Sequence, residues 1–382
     1  MSGIARNPDL VTQREQPFRG PRHGRVSVAL ANIRTLAGSR RVAILVALAA
    51  ALSLAIVMAV AMGKVWIPPL DIARICLNKI GLTDFAPTWR AVDETIILQV
   101  RMPRVVGGAL VGAGLSTAGV LFQGLLRNPM ADPYIIGTSA GAALGATVAM
   151  LLPIGAAFLG FGLVPVLAFA GALTTVMLVY YLARTGGKTP IVSMLLAGFA
   201  VSAMLAALMF LLITLSDQLR PRVGSVYSFL MGGMSVSGWE QIAVIAPIII
   251  GGVLLARLYA FRLNAFSLGE EGAAYVGIDV ERSKIAVLAI GSILTAAAVA
   301  ISGLIGFVGL VVPHALRLLL GPEHRLLVPA AAIGGGLFLV IADLLARTIP
   351  TSGEIPVGVI TALIGAPFFI YLLRRTRKEY AF

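Results

Sequence analysis

Long apolar stretches dominate this sequence and constrain its fold more than any other feature. Ten of them are about 20 residues long, which is the length that an α-helix needs to cross the hydrocarbon core of a bilayer. Lipid offers no partners to backbone N–H and C=O groups, so isolated apolar spans become helices. The sequence therefore predicts an all-α polytopic membrane protein whose spans are 42–62, 104–124, 134–152, 163–183, 191–213, 242–261, 285–302, 304–320, 326–346 and 355–373.

Composition excludes a water-soluble protein and argues against nucleic-acid binding. Hydrophobic residues make up 58% of the chain and charged residues only 12%, about half the share of roughly 25% in globular proteins. The net charge of +13 is typical of nucleic-acid-binding proteins too, but here the basic residues flank membrane spans, where they set orientation. We expect a lipid bilayer around the chain and no nucleic acid.

The basic residues also predict the orientation. With the N-terminus inside, 21 of the 30 Lys and Arg residues fall in cytoplasmic segments, as the positive-inside rule requires. An even number of spans then leaves both termini in the cytoplasm. We predict a disordered tail over 1–41, a ten-span domain over 42–373 and a basic cytoplasmic tail over 374–382.

Three arginines break this pattern. Arg101 precedes span 2, Arg104 is the first residue of that span, and Arg347 directly follows span 9. All three are therefore predicted to lie outside, where basic residues are scarce. Asp343 stands four residues before Arg347, a spacing that predicts an ion pair on one helix face. A single paired carboxylate gives little support to an ion-coupled carrier, which uses several ionisable groups inside the membrane.

Short motifs for enzyme chemistry fail on their context. GTSAG (137–141) matches the nucleophile elbow G-x-S-x-G, but it opens a membrane helix instead of joining a strand to a helix. GGKT (186–189) has Leu182 where a phosphate loop needs glycine, so it is predicted to be a plain loop. The three histidines have no metal-ligand spacing. We expect no catalytic residue and no metal site.

Glycines repeat at four-residue spacing along two spans. Gly137, Gly141 and Gly145 form one series, and Gly108 with Gly112 form another. Small residues let membrane helices approach closely. The spacing fits either tight helix packing or the lining of a transport path.

Four segments of the sequence resemble a known family. They are RMPRVVGGALVGAGLSTAGVLFQGLLRNPMADPYIIGTSAGAALGA (101–146), LGEEGAAYVGIDVERSK (268–284), GLIGFVGLVVPHALRLLLGPEHRLLVPAAAIGGGLFLVIADLLAR (303–347) and EIPVGVITALIGAPFFIYLL (354–373). Together they closely resemble the FecCD-type permease subunits of type II ABC importers for iron–siderophore complexes, haem and cobalamin. The likeness runs in order over about residues 40–375.

The resemblance implies a set of partners. Family members work with a second permease copy, with two ATPase subunits inside and with a periplasmic binding protein outside. ATP and Mg²⁺ would sit on the ATPase subunits, so this chain is expected to bind no cofactor and to catalyse no reaction. The implied location is the bacterial inner membrane. The alternatives are a secondary, ion-coupled transporter without an ATPase partner and, on GTSAG alone, a membrane enzyme.

The resemblance also assigns roles to residues. Arg101, Arg104 and Arg347 match arginines that face acidic residues of the binding protein. The segment 268–284 matches the coupling helices that fit a groove on the ATPase. Its coupling residues are Leu268, Gly269, Glu270, Glu271, Ala273, Ala274 and Gly277. The cytoplasmic gate maps to Asn128, Met130, Ile191 and Val192, and the last two are branched apolar residues where some relatives have small polar ones.

Overall fold

The computed structural model describes residues 23–153, 160–236, 238–350 and 353–376. Its α-helices are α1 (His23–Ala61), α2 (Pro69–Lys79), α3 (Ala91–Thr95), α4 (Met102–Leu125), α5 (Thr138–Leu151), α6 (Leu163–Ala183), α7 (Ile191–Leu215), α8 (Val223–Leu230), α9 (Trp239–Phe266), α10 (Gly269–Tyr275), α11 (Val280–Ser302), α12 (Val308–Leu320), α13 (His324–Thr348) and α14 (Val357–Thr376). A π-helical segment, Ile96–Arg101, joins α3 to α4. Short 3₁₀ helices cover Pro133–Ile136 and Arg220–Arg222.

The ten predicted spans coincide in order with α1, α4, α5, α6, α7, α9, α11, α12, α13 and α14. Among the described residues, seven helices are long and apolar enough to cross a membrane alone, and the helices over Thr138–Leu151, Val308–Leu320 and Val357–Tyr371 are shorter. At 13 residues, α12 reaches only about 20 Å at 1.5 Å per residue. The all-α polytopic membrane fold is confirmed.

The N-terminal prediction is wrong in part. A helix covers 23–41, where a disordered tail was expected, and 1–22 lie outside the described residues. The helix starts just after Pro21, and no proline interrupts it before the span, so a helix formed in the span extends backwards cheaply. Of the described residues, those up to Ile44 form one compact unit and those from Leu45 onward form another. Of the predicted tail 374–382, α14 takes the part up to Thr376 and the rest is outside the described residues.

Helix α4 is packed on several sides by α9, α11, α12 and α13. A Cβ added to Gly112 would overlap the carbonyl of Gly335 on α13, and one added to Gly141 would overlap the carbonyl of Gly171 on α6. Such backbone-to-backbone approach is what small residues permit between membrane helices. Close helix packing therefore accounts for the spacing of these two glycines.

Two distant contacts fix the direction of α9 relative to α4. At one end, the indole N–H of Trp239 donates to the carbonyl of Leu98 across 2.7 Å. At the other end, Leu263 reaches Gly124. The two helices therefore run in the same direction, and the 24 residues of α4 separate the ends by about 36 Å. Arg101 lies at the first end, and the segment 268–284 follows the second.

Candidate functional site

Pro103 shapes the end of α4 that carries the arginines. It has no N–H to donate to the preceding turn, and its ring crowds that turn. The helix widens there into the π-helical segment Ile96–Arg101, an irregularity that is frequent at functional sites. The widened turn ends at Arg101 and starts the regular helix that presents Arg104.

Arg101 is buried, with 7% of its surface exposed. Its guanidinium donates to the carbonyls of Val60 and Ala61 at 2.8 and 3.0 Å, and to that of Val65 at 2.6 Å. The last carbonyls of a helix lack partners within the helix, so Arg101 caps the end of α1. Gly63 leaves room for this arrangement, since a Cβ there would come within 2.6 Å of the guanidinium.

Asp343 links the other two arginines. One of its oxygens, Oδ1, accepts from Nε of Arg104 at 3.0 Å and lies 2.9 Å from Nη2. The other, Oδ2, accepts from Nε of Arg347 at 2.9 Å. Only 2% of Asp343 is exposed, so this carboxylate is shielded from salt and water and its pairs are strong. The predicted Asp343–Arg347 pair is confirmed.

Glu354, just before α14, holds the outward-facing part of Arg104. Nη1 of Arg104 donates to Oε2 of Glu354 at 2.8 Å, and 48% of the glutamate side chain is exposed. These groups line an open pocket of about 130 Å³. Its charged lining consists of Lys64, Arg101, Arg104, Arg347 and Glu354. Basic groups outnumber acidic ones, so the pocket favours an anionic partner.

The structure corrects the equal treatment of the three arginines. Arg101 is committed to backbone carbonyls of its own chain and does not offer a free guanidinium at the surface. Arg347 is likewise held by Asp343 and by the carbonyl of Ala59 at 3.2 Å. Among the described residues, Glu354 is the one exposed partner of Arg104. A buried guanidinium needs partners within the protein, and the backbone carbonyls and Asp343 supply them here.

At the opposite end, α10 forms the middle of the predicted coupling segment. Gly269 is the first residue of α10 and has φ +89°, and Gly277 follows the end of the helix with φ +82°. Both angles favour glycine, so these two residues set the backbone and not a side-chain surface. Ala273 is fully buried, which anchors the helix to its neighbours.

The other face of α10 is open and partly apolar. Tyr275 is 90% exposed, and Leu268 and Val276 are exposed as well. Ala274 and Glu271 lie on the surface beside them. With seven residues, α10 is not among the candidate membrane spans of the described residues, and a cluster of exposed apolar groups is typical of a surface for a protein partner.

Glu270 differs from its neighbour Glu271. Its Oε2 lies 2.7 Å from Nζ of Lys284 on α11. Lys284 also pairs with Glu281 at 3.0 Å and donates to the carbonyl of Thr189 at 3.3 Å. Neither Lys284 nor Glu354 was singled out from the sequence. The i,i+3 spacing of Glu281 and Lys284 was the available signal for the first; for Glu354 the sequence offered none.

The four residues predicted to form the gate lie in two places in this chain. Met130 lines a small pocket with Pro129, Leu310, Val311, His314, Phe368 and Phe369, and the side chain of Asn128 accepts from the N–H of Met130 at 2.9 Å. Ile191 lines a different pocket, beside Leu125 and Lys284, and Val192 is exposed. The structure does not bring the two pairs together within one pocket.

Comparison with known proteins identifies the family. The model of the FecCD transport family matches residues 51–375. The chain belongs to the FecCD transport family. Its sequence is 45% identical over 313 residues to the cobalamin import system permease protein BtuC of Halobacterium salinarum, covering 82% of this chain and 80% of the relative. It is 39% identical to the hemin transport system permease protein HmuU of Yersinia pestis, covering 74% and 84% of the two chains.

A solved structure agrees with this assignment. An inward-facing conformation described as that of a metal-chelate type ABC transporter matches with a TM-score of 0.75 and 30% identity, over 87% of this chain and 99% of the other. This FecCD protein is therefore a multi-pass membrane permease of the ABC importer type. Membership also argues against the secondary, ion-coupled transporter, because the relatives are permeases of ABC importers.

Proposed function

We propose that this permease works as a dimer with two ATPase subunits and an external binding protein, and that it imports an iron complex or cobalamin. The observation that supports this most directly is the separation of two different surfaces. The basic pocket around Arg104 and the exposed face of α10 lie at opposite ends of the α4–α9 pair. A transporter driven from inside and loaded from outside needs one contact surface at each end.

The basic pocket is the proposed contact for the binding protein. Arginine suits this role because its planar group holds a carboxylate through two hydrogen bonds. Arg104 would meet the acidic residue of the partner, while Arg101 and Arg347 fix the pocket and add positive potential. Such charges speed and orient docking more than they raise affinity.

The exposed face of α10 is the proposed contact for the ATPase. Leu268, Ala274, Tyr275 and Val276 offer apolar area, and Glu271 adds a charge beside it. A short helix of this kind fits a groove on a partner. ATP and Mg²⁺ would be bound by the ATPase, whose movement would favour the outward or the inward form of the path.

The gate is proposed to form between two copies. Asn128 and Met130 from each copy, with Ile191 and Val192 at the start of α7, would close the path on the cytoplasmic side. Val192, Leu196 and Phe199 are exposed along α7, which leaves this helix available to lipid or to a second copy. We place the assembly in the bacterial inner membrane.

The cargo proposal follows the relatives. Three relatives between 37% and 45% identical are permeases for cobalamin, for hemin and for Fe(3+)-citrate. A more distant relative, 33% identical, is a molybdate permease of Haemophilus influenzae. A bulky metal chelate is thus the proposed cargo, with a small oxyanion as the outcome to exclude.

The test is uptake into liposomes that contain the permease and its ATPase, with ATP enclosed. Binding protein is added outside with haem, a ferric siderophore, ferric citrate, cobalamin or molybdate in separate runs. We expect ATP-dependent uptake of a chelate only when all three proteins are present. Uptake of molybdate and of none of the chelates would contradict the proposed cargo. Uptake driven by an ion gradient without the ATPase would contradict the proposed ATP-driven mechanism.

A further inference from the structure

Lys284 is a buried lysine with every donor in use. Its side chain is 9% exposed, and an ammonium group has three N–H donors. They point to Glu270 at 2.7 Å, to Glu281 at 3.0 Å and to the carbonyl of Thr189 at 3.3 Å. One ammonium group therefore joins α10, the first turn of α11 and the loop that leads into α7.

Thr189 is held from both sides. Its carbonyl accepts from Lys284, and its N–H donates to Glu281 at 3.2 Å. Glu281 and Lys284 thus form hydrogen bonds with the backbone N–H and C=O groups of Thr189, respectively. Thr189 is also buried, with 4% of its surface exposed, so water competes little for these bonds.

The short loop around Thr189 can transmit a displacement of Thr189 to α7. Before it, Thr185 and Lys188 exchange two backbone hydrogen bonds, of 2.9 and 3.1 Å, around Gly186 and Gly187. Positive φ angles at both glycines match the tight turn of a hairpin. After it, Pro190 is the N-cap of α7. A short, turned loop has little slack, so a shift of Thr189 moves the first turn of α7.

The first turn of α7 carries the proposed gate residues Ile191 and Val192. Ile191 lines the same small pocket as Lys284 and Thr189. The proposed ATPase-facing helix α10 is therefore connected to the start of α7 through the Glu270–Lys284 ion pair and the backbone of Thr189. The connection is physical and contiguous, as transmission by packed elements requires.

We propose that Lys284 is a positioning residue that transmits displacement of α10 to the start of α7, through Glu270 on one side and Thr189 on the other. The inference rests on the proposed ATPase contact at α10. When the ATPase moves α10, Glu270 moves with it, and Lys284 responds because a desolvated charge does not give up its partner easily. Glu281, on the same helix as Lys284, holds the ammonium group against the first turn of α11 during this movement.

Glu270→Gln is the sharpest variant. It removes the ion pair to α10 and leaves at most a weaker, neutral hydrogen bond in its place. Lys284 stays neutralised by Glu281, so the chain should fold. The measurement is amide hydrogen exchange of the full-length permease in nanodiscs, with and without its ATPase and Mg-ATP. Two peptides are compared: 268–277, which contains α10, and 185–194, which contains Thr189 and the start of α7.

In the parent protein we expect the ATPase to protect 268–277 and to change exchange at 185–194 by roughly three- to tenfold, the range that one partly exposed charged hydrogen bond supports. In Glu270→Gln, 268–277 should still be protected, and the change at 185–194 should disappear. Protection at 268–277 with no response at 185–194, or with an equal response in the variant, overturns this proposal alone. No protection at 268–277 in the parent overturns the ATPase contact and this proposal with it.

Transport gives the second measurement. Glu270→Gln and Lys284→Met should lower cargo moved per ATP hydrolysed by roughly three- to tenfold, on the same basis, while ATP hydrolysis continues. Lys79→Met and Glu240→Gln are matched controls, because both side chains are exposed and lie outside this network. Parent-like coupling in Glu270→Gln overturns the proposal even if Lys284→Met fails to fold.

Discussion

Arg104 and Glu354 lie 2.8 Å apart although 250 residues separate them in the chain. We propose that Arg104 binds an acidic residue of the docking protein. The carboxylate of Glu354, in the same chain, already accepts a hydrogen bond from the guanidinium of Arg104. A carboxylate from a docking protein would therefore have to replace Glu354 before it could bind. The relationship makes Glu354 a built-in competitor for the binding protein.

Glu354→Gln should therefore strengthen docking. An exposed ion pair contributes roughly 0.2–1 kcal/mol, which corresponds to a complex that is about 1.4- to fivefold tighter when the competitor is removed. The measurement is binding of the external protein to permease nanodiscs at several salt concentrations. Weaker binding by Glu354→Gln would mean that Glu354 orients Arg104 for the partner instead of competing with it.

Arg101→Ala should affect stability more than docking. Three carbonyls at and after the end of α1 lose a buried charged donor, at a cost of roughly 2–4 kcal/mol. We expect a lower Tm of the purified permease, while the folded fraction still docks. Arg104→Ala is the comparison, with a smaller change in Tm and weaker docking. The opposite ranking of the two variants would restore a direct docking role to Arg101.

Tyr275→Ala should weaken ATPase binding by about tenfold, since exposed tyrosines are frequent hot spots of protein interfaces. The fold should be unaffected because the side chain is 90% exposed. Tyr227→Ala is the matched control: this tyrosine is also exposed, on α8, which bonds to Leu304 beyond the far end of α11. Titration of the ATPase against nanodisc permease measures both. Equal losses in the two variants would argue against a contact at α10.

Gly112→Ala should destabilise the helix bundle by about 1–3 kcal/mol, because the new methyl group would overlap the backbone of Gly335. Gly251→Ala on α9 is a suitable control, since its added methyl would meet nothing within 4 Å. That change should be neutral or stabilising by up to about 1 kcal/mol. Unfolding in detergent followed by circular dichroism distinguishes the two. Similar curves would mean that α4 and α13 pack less closely than described.

Met130→Cys tests the dimer. In a Cys76→Ser background, the new cysteine should form a cross-link between two copies in the closed state. The native Cys76 has to be removed even though it is half-buried and burial raises the pKa of its thiol, which slows but does not prevent its reaction. Leu82→Cys, an exposed position after α2, is the control. Equal cross-linking at both positions would indicate random collision and not a gate.

Much of this architecture follows from sequence alone. Apolar length determines which segments become membrane helices, because a helix in lipid satisfies its backbone locally. All ten predicted spans coincide with helices for this reason. The Asp343–Arg347 ion pair could also be predicted from the sequence, since both residues lie on one helix at i,i+4 spacing.

Tertiary structure alone decided what the charged residues do. Arg101 and Arg104 look equivalent in sequence, yet one caps α1 and the other holds Asp343 and Glu354. Glu270 and Glu271 are adjacent, yet only Glu270 meets Lys284 among the contacts described. The partner of a long charged side chain depends on which helices pack beside it, and residues far apart in the chain determine that packing. Local sequence therefore sets the helices, while the roles of their charges are settled only when the helices are assembled.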